Sequence, residues 1–248
     1  KKCVMSNQRP QSSPEFKKNS VKIEGSGFQE DGVCDACHWH EAKKEIDWEE
    51  RARELSDLCQ RHRRDDGEYD ILIPGSGGKD SIFVAHLLKT KYNMNPLTVT
   101  WAPHMYTDVG WRNFNHWLAV GFDNCLVTPN PVVHATLTRL AFRNLVNPFQ
   151  PFIIGQKLAA VRMAKKFGIK LVMYGENQAE SHNSFESNLS PLVDPKHFSV
   201  SGNEEDLFIG GSSVQELEEE HGIKGADLGL YKPLLREHIE EAEIEAHF

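Results

Sequence analysis

An apolar segment that leads directly into a glycine-rich loop places the strongest constraint on the fold of this chain. Ile71–Pro74 favours a β-strand, Ser76–Ser81 has the sequence Ser-Gly-Gly-Lys-Asp-Ser, and the apolar residues from Ile82 to Leu88 recur at helical spacing. Glycine allows the backbone to turn tightly and to approach a ligand closely. The helix that follows presents unpaired N–H groups and the positive end of its dipole, both of which attract phosphate. The sequence therefore predicts a strand, a phosphate-binding turn and a helix in direct succession.

The side chains of this loop suit phosphate chemistry. Ser76 and Ser81 supply hydroxyl donors, Lys79 supplies a positive charge, and Asp80 can cap the helix or bind a metal. The loop differs from the G-x-x-x-x-G-K-[ST] motif of kinases and GTPases, because its glycines lack that spacing and Asp80 follows Lys79. A glycine-rich turn without a ligand is the alternative interpretation.

Strands and helices alternate after residue 69, which predicts an α/β fold with a mainly parallel, doubly wound sheet. The predicted strands are Tyr69–Pro74, Leu97–Trp101, Cys125–Thr128 and Lys170–Tyr174. The predicted helices between and after them are Ser81–Lys91, Trp111–Val120, Val133–Leu145 and Gly155–Phe167. A helix capped by Asp47 is expected before the first strand, and short acidic helices are expected near Val214–His221 and Arg236–Phe248. Ligands of such a sheet bind at the carboxyl ends of its strands.

Three segments should therefore meet at one edge of the sheet. They are the loop Ser76–Ser81, the end of the second strand at Val99–Trp101, and the segment after the fourth strand, Tyr174–Glu180. Glu176 and Glu180 are placed to hold Mg²⁺ or to orient reacting groups. The alternative is structural, because a glutamate at the start of a helix is favoured by the dipole alone. Lys157 is a further candidate for contact with an anionic substrate, although solvated surface is its simpler interpretation.

The cysteines indicate a structural zinc site in an N-terminal segment, residues 1–46, that precedes the main domain of residues 47–248. Cys34 and Cys37 form a Cys-x-x-Cys pair, and Cys3 lies upstream. Tetrahedral zinc requires four ligands, so His38 or His40, or a residue before Lys1, would have to complete the set. Free thiols are the alternative. Cys59 and Cys125 are expected to pack in helix and strand, and this use of cysteine fits a reducing, cytoplasmic compartment.

Composition excludes several classes of protein. The 248 residues are 39% hydrophobic, enough for a core, but no apolar run is long enough to cross a membrane. The formal net charge of −8 is concentrated in residues 201–248, which hold 13 acidic and 3 basic side chains. This acidic part is either a solvated helical surface or a docking surface for a partner. A protein that grips nucleic acid would need a broad basic face, so nucleic acid is an improbable partner.

The loop resembles the PP-loop of ATP pyrophosphatases, and the chain as a whole is similar to the N-acetyl sugar amidotransferases of bacterial surface-polysaccharide biosynthesis. Motifs shared with that family span most of residues 1–180 and comprise residues 3–5, 32–37, 46–51, 76–81, 99–101, 121–123 and 174–180. Family members usually begin with a complete Cys-x-x-Cys. The resemblance implies a fold of the PP-loop type and the cofactors ATP, Mg²⁺ and structural Zn²⁺.

The resemblance also implies an activity, which is conversion of an acetamido group on a nucleotide-linked sugar to an acetamidino group. It assigns catalytic roles to Lys79, Asp80 and Glu176, and metal binding to the three N-terminal cysteines. Its nucleotide contacts are Ser76, Gly77, Gly78, Lys79, Asp80, Ser81, Val99, Trp101 and Gly175. Ammonia would come from a glutaminase and an ammonia-channelling subunit similar to those of histidine biosynthesis, since the sequence shows no glutaminase triad. A tRNA-modifying PP-loop enzyme and a zinc-containing ATP-binding interaction module are the competing interpretations.

Overall fold

The main sheet contains five parallel strands and confirms the predicted α/β class. The computed structural model describes residues 3–4, 28–176, 185, 189–195, 198–200 and 207–248. Within these residues the strands of the main sheet are Ile71–Pro74 (β1), Pro96–Trp101 (β2), Asp123–Val127 (β3), Leu171–Met173 (β4) and Glu245–His247 (β9). They lie in the order β3-β2-β1-β4-β9, and every neighbouring pair is parallel.

The described residues also form eight α-helices. Their bounds are Asp35–Ala42 (α1), Trp48–His62 (α2), Lys79–Thr90 (α3), Asp108–Ala119 (α4), Pro131–Leu145 (α5), Gln150–Phe167 (α6), Val214–His221 (α7) and Arg236–Glu241 (α8). Seven of them, α2 to α8, correspond at least in part to predicted ones. The predicted cap of α2 is confirmed, because the Asp47 carboxylate accepts hydrogen bonds from the N–H groups of Glu49 and Glu50 at 3.0 and 2.9 Å. None of the described helices combines the length and the apolar content that a membrane span requires.

Side chains of β1 alternate between two apolar layers, one on each face of the sheet. Leu72 packs in the layer formed with α5 and α6, whereas Ile71 and Ile73 pack in the layer formed with α2, α3 and α4. All three are fully buried. Successive strand residues point to opposite faces, so a continuous apolar run is what a strand covered on both sides requires. Cys59 is fully buried in the second layer and Cys125 is half-buried on β3, as expected of packing residues.

Helix α6 begins at Gln150, five residues before the predicted start at Gly155. Pro151 occupies the first turn, where a missing N–H costs nothing. Position 155, inside the helix, is a glycine because the Trp101 ring occupies the space beside it. A Cβ at this position would lie 2.1 Å from Cζ2 of that ring. The glycine is therefore a site of close packing between α6 and β2, and the prediction of a helix boundary there was wrong.

The C-terminal prediction was also wrong in part. Instead of one helix over Arg236–Phe248, α8 ends at Glu241 and β9 follows. Glu243 adopts a left-handed conformation with φ of 50°, which breaks the helix. Strand β9 then pairs with β4, with Leu171 opposite Glu245 and Met173 opposite His247. A fifth strand was therefore missed, because its three residues are too short to show alternation.

Smaller elements lie between β4 and β9. Strands β5 (Ser199–Val200) and β8 (Leu234–Leu235) form a parallel pair, and β6 (Phe208–Ile209) and β7 (Ser212–Ser213) form an antiparallel hairpin. Gly210 and Gly211 make its two-residue turn with φ of 64° and 80°, values that favour glycine at both positions. The hairpin leads into α7, whose first turn carries a reciprocal capping box between Ser213 and Glu216.

Candidate active site

The strand order places a crevice at the carboxyl ends of β1 and β4. The chain proceeds from β1 to β2 and β3 on one side of the sheet, and continues with β4 on the other side of β1. Ligands of open α/β sheets bind at such a reversal of strand order. The Ser76–Ser81 loop follows β1, and Tyr174, Gly175 and Glu176 follow β4. A Cβ at Gly175 would lie 2.8 Å from both N and Cα of Ser81, so the two segments are in backbone contact.

The two glycines of the loop have different roles. Gly77 is buried with φ of 88°, and a Cβ there would lie 2.4 Å from the backbone oxygen of Asn113 on α4. This glycine therefore lets the loop pack directly on the α4 backbone. Gly78 is exposed, precedes α3 as its N-cap, and has open space where a Cβ would be. The loop is thus anchored on one side and open on the other.

The open side of the loop presents groups that can bind phosphate. The N-cap of α3 is Gly78, which has no side chain to cap the first turn of the helix. Ser76, Lys79 and Asp80 are all exposed. The Ser81 hydroxyl donates to the Gly78 oxygen at 3.1 Å and holds the turn closed. Together these features form a cationic and hydrogen-bond-donating turn at the end of β1.

Lys79 and Asp80 form an exposed ion pair, with Nζ and Oδ1 2.5 Å apart. Their side chains are 88% and 61% exposed, so the pair contributes little to stability. Exchange of this contact for a ligand would therefore cost little. Lys79 can turn to a phosphate oxygen, and the carboxylate of Asp80 can turn to a cation that accompanies it.

Val99 and Trp101 lie at the end of β2 and are almost fully buried. The Val99 oxygen accepts a hydrogen bond of 2.9 Å from the N–H of Gly75, which ties the start of the loop to β2. Trp101 packs against Gly155, and its Nε1 has no hydrogen-bond partner among the described residues. Both side chains belong to the buried core, and the backbone of Val99 is what joins β2 to the loop.

Glu176 is exposed beyond β4 and lies near Lys157, which the sequence indicated only as a further candidate for contact with an anionic substrate. Lys157, on α6, is half-buried, and its burial lowers the pKa of the amine while the Glu176 carboxylate acts to raise it. The Tyr174 hydroxyl donates to the Lys157 backbone oxygen at 3.5 Å, and burial raises the pKa of Tyr174, which keeps that proton in place. Lys157 on α6 is thus close enough to Glu176 for the two charges to interact. Glu180 lies outside the described residues.

The three N-terminal cysteines are gathered into one group that could hold a metal ion such as zinc. The sulfur atoms of Cys3, Cys34 and Cys37 all lie within 4.8 Å of one another, and those of Cys3 and Cys34 are 3.5 Å apart. Two sulfurs on one tetrahedral zinc lie about 3.8 Å apart, given a Zn–S bond of about 2.3 Å. The separation therefore fits shared coordination. Neither His38 nor His40 belongs to the group, and His38 instead contacts Asp31 at 3.2 Å.

The local fold explains how these sulfurs converge. Cys34 is the N-cap of α1, Cys37 lies in its first turn, and the N–H of Cys37 donates to the Cys34 oxygen at 2.9 Å. Hydrogen bonds to the other two sulfurs raise the pKa of the Cys37 thiol to about 11, so this thiol stays protonated without a metal. Zinc binding would release its proton, because zinc binds thiolates. The remaining cysteines are poor nucleophiles, since burial raises the pKa of Cys59 to about 11 and also raises that of Cys125.

Comparison with known proteins adds one local similarity. No family model matches the chain. An uncharacterized protein of Methanocaldococcus jannaschii is 35% identical over 52 residues, which are 21% of this chain and 19% of that protein. The chain therefore matches about a fifth of the length of that relative. The functional interpretation accordingly depends on the residues at the crevice.

Proposed function

We propose that this chain is an ATP-dependent amidotransferase of the PP-loop type, which converts the acetamido group of a nucleotide-linked sugar to an acetamidino group. The observation that carries the proposal is the position of Ser76–Ser81. This loop lies at the reversal of strand order, is anchored on α4 through Gly77, and is open at Gly78 and at the uncapped start of α3. Such a turn suits the pyrophosphate group that leaves when ATP transfers an adenylyl group.

The proposed reaction has two steps, adenylation of the amide oxygen and displacement of AMP by ammonia. The acetamido oxygen attacks the α-phosphorus of ATP, the bond to the β-phosphate oxygen breaks, and pyrophosphate leaves. Ammonia then attacks the imidate carbon, and the former amide oxygen leaves with AMP. Adenylation is needed because an amide oxygen is otherwise a very poor leaving group.

The chain supplies positioning and charge for these steps. The N–H groups of the loop, with Ser76 and Lys79, hold the leaving pyrophosphate. Lys157 on α6 supplies a second cation, and the nearby Glu176 carboxylate acts to raise the pKa of its amine. Asp80 and Glu176 would hold Mg²⁺, which neutralises phosphate charge when bound. The cysteine group would hold zinc in a structural role, because no open position for water accompanies a set of three thiolates and a fourth ligand.

Ammonia is expected from separate glutaminase and channelling subunits of the histidine-biosynthesis type. Cys59 and Cys125, which have raised thiol pKa values, offer no poised nucleophile for glutamine hydrolysis or thiolation. This argues against the tRNA-thiolating alternative as well.

The test is incubation of the protein with ATP, Mg²⁺, ammonium and a panel of UDP-linked acetamido sugars. We expect AMP and pyrophosphate only with an accepted sugar, and a product about 1 Da lighter because NH replaces oxygen. Ser76→Ala and Asp80→Ala should abolish AMP formation while the folded state persists, since both residues are exposed. Full turnover in both variants would remove the loop from the active site. AMP formation that depends on tRNA, or ATP binding without turnover, would favour the competing interpretations.

A further inference from the structure

A second group of rings lies at the same edge of the sheet, beyond the carboxyl ends of β2 and β3. The rings of His104 and His134 stack with centroids 4.5 Å apart and planes 23° apart. His134 also lies nearly parallel to Tyr231, and its Nδ1 is 2.6 Å from the Tyr231 hydroxyl. The Trp101 ring makes T-shaped contacts with both His134 and Tyr231. These four residues form one contiguous group of rings that begins in the core and ends at the surface.

Two phenylalanines contact this group of rings at its surface end. The centroids of the Phe152 and Phe149 rings lie 5.2 and 6.0 Å from that of His104. Both His104 and Phe149 are exposed, the latter by 54%. We call His104, Phe149 and Phe152 the aromatic platform. Its position at the ends of the strands makes it a candidate ligand surface.

Beneath the platform, buried polar atoms lack partners among the described residues. His134 is 6% exposed and Trp101 is 5% exposed, yet neither Nε2 of His134 nor Nε1 of Trp101 has a hydrogen-bond partner there. Burial raises the pKa of Tyr231, so its hydroxyl keeps its proton and can donate it to Nδ1 of His134. Nε2 of His134 then carries the ring proton and is a donor, as the Trp101 indole N–H always is. Less than 1 Å² of either donor atom is accessible to solvent, so both are enclosed by protein below the platform.

The charge of the platform distinguishes between classes of ligand. The His104 side chain is exposed, but partial desolvation by the rings around it lowers the pKa of its imidazole. Burial, together with the nearby His104, lowers the pKa of His134 to about 4. Both imidazoles are therefore neutral near pH 7. A phosphate would be better bound by Lys79 and the N–H groups of the loop. A platform of neutral rings instead suits the C–H face of a sugar.

We propose that the aromatic platform binds the acetamido sugar ring of the second substrate. This inference rests on the proposed function and assigns a separate subsite to the sugar. The C–H face of the sugar ring packs on His104 and Phe149, which are the exposed rings of the platform. His134 acts as a positioning residue, because its bond to Tyr231 fixes the plane on which His104 stacks.

The first test measures sugar binding without turnover. Saturation-transfer NMR with UDP-N-acetylglucosamine as the probe should show transfer to the pyranose and acetyl protons in the wild-type protein. His104→Ala and Phe149→Ala should each weaken that binding about tenfold, and Phe142→Ala, an equally exposed phenylalanine further along α5, should leave it unchanged. Transfer to the uridine protons alone, or equal binding by all three variants, would overturn the inference.

The second test separates this inference from the proposed function. With a sugar that wild-type protein converts, His104→Ala and Phe149→Ala should raise KM for the sugar about tenfold while Kd for ATP stays within twofold. If wild-type protein forms AMP and both variants keep the original KM, the sugar subsite lies elsewhere and the amidotransferase proposal survives. If wild-type protein forms AMP with no acetamido sugar, the proposed function fails, and the NMR result alone decides whether the platform binds sugar.

Discussion

Neighbouring glycines of the Ser76–Ser81 loop should respond in opposite ways to the same substitution, and this contrast tests the packing of the loop directly. In Gly77→Ala the new Cβ meets the Asn113 backbone oxygen at 2.4 Å, and α4 cannot yield as a flexible side chain would. Alanine at φ of 88° costs about 1 kcal/mol or more, and forced repacking costs about 1–3 kcal/mol. We therefore expect destabilisation of about 2–4 kcal/mol. For a chain of this length, that lowers the melting temperature by about 5–15 °C.

Gly78→Ala is the matched control. Gly78 has φ of −70° and ψ of 153°, values open to any residue, and its Cβ would meet nothing within 4 Å. Loss of freedom in the unfolded chain favours alanine, whereas the N-cap position favours glycine slightly, so the net change should stay within about 0.5 kcal/mol. Thermal melts followed by circular dichroism, with urea titrations as a second measure, give both values. A Gly77→Ala protein that melts within 2 °C of wild type would refute the described contact between the loop and α4.

Three further predictions concern a charge, a metal and a proton. Lys157→Met should lower the rate of amidine formation at least tenfold. It should not lower the melting temperature, because burial already disfavours the charged ammonium of Lys157. A lower melting temperature with normal turnover would assign Lys157 a structural role instead. Cys34→Ser should lose zinc by elemental analysis whereas Cys125→Ser keeps it, and equal zinc in both would exclude the cysteine group as the site. The pKa of His134 is about 4 in the folded protein, against an ordinary value of 6.5. Between these values the unfolded chain binds a proton that the folded protein does not, so the free energy of unfolding is highest above pH 6.5 and falls as the pH drops towards 4. Urea titrations at pH 7.5 and 5 should differ by about 2 kcal/mol more in wild type than in His134→Gln, and equal pH dependence would show that His134 is not buried as a neutral ring.

The parallel core of the fold could be predicted because its signals are local. Ile71–Pro74 is an uninterrupted apolar strand, and the loop and helix that follow it have strong turn and spacing signals. Strand β9 could not be predicted in this way, because three residues show no alternation and their pairing partner lies more than 70 residues earlier. Gly155 misled for a related reason: the ring that fills the space beside it belongs to a distant strand.

The residues of the candidate site also differ in whether local sequence signals could predict them. The loop residues and Glu176 could be proposed from sequence, since each directly follows a predicted strand. Lys157 could be raised only as a minor candidate, because a lysine on an amphipathic helix is usually solvated, and its burial depends on how α6 lies across the sheet. The aromatic platform and the rings of His134 and Tyr231 below it gave no sequence signal, because these residues come from four separate parts of the chain.

Strand β9 gives the crevice a late step in its assembly. Its residues hold the β4 end through the hydrogen bond from the N–H of Tyr174 to the His247 oxygen, and through the packing of the Tyr174 and Phe248 rings. Contacts between segments so far apart in the chain form slowly. During synthesis the ribosome would release the phosphate loop long before this last strand. The nascent chain can therefore acquire most of its core early, but the geometry around Glu176 is completed only when residues 245–248 dock.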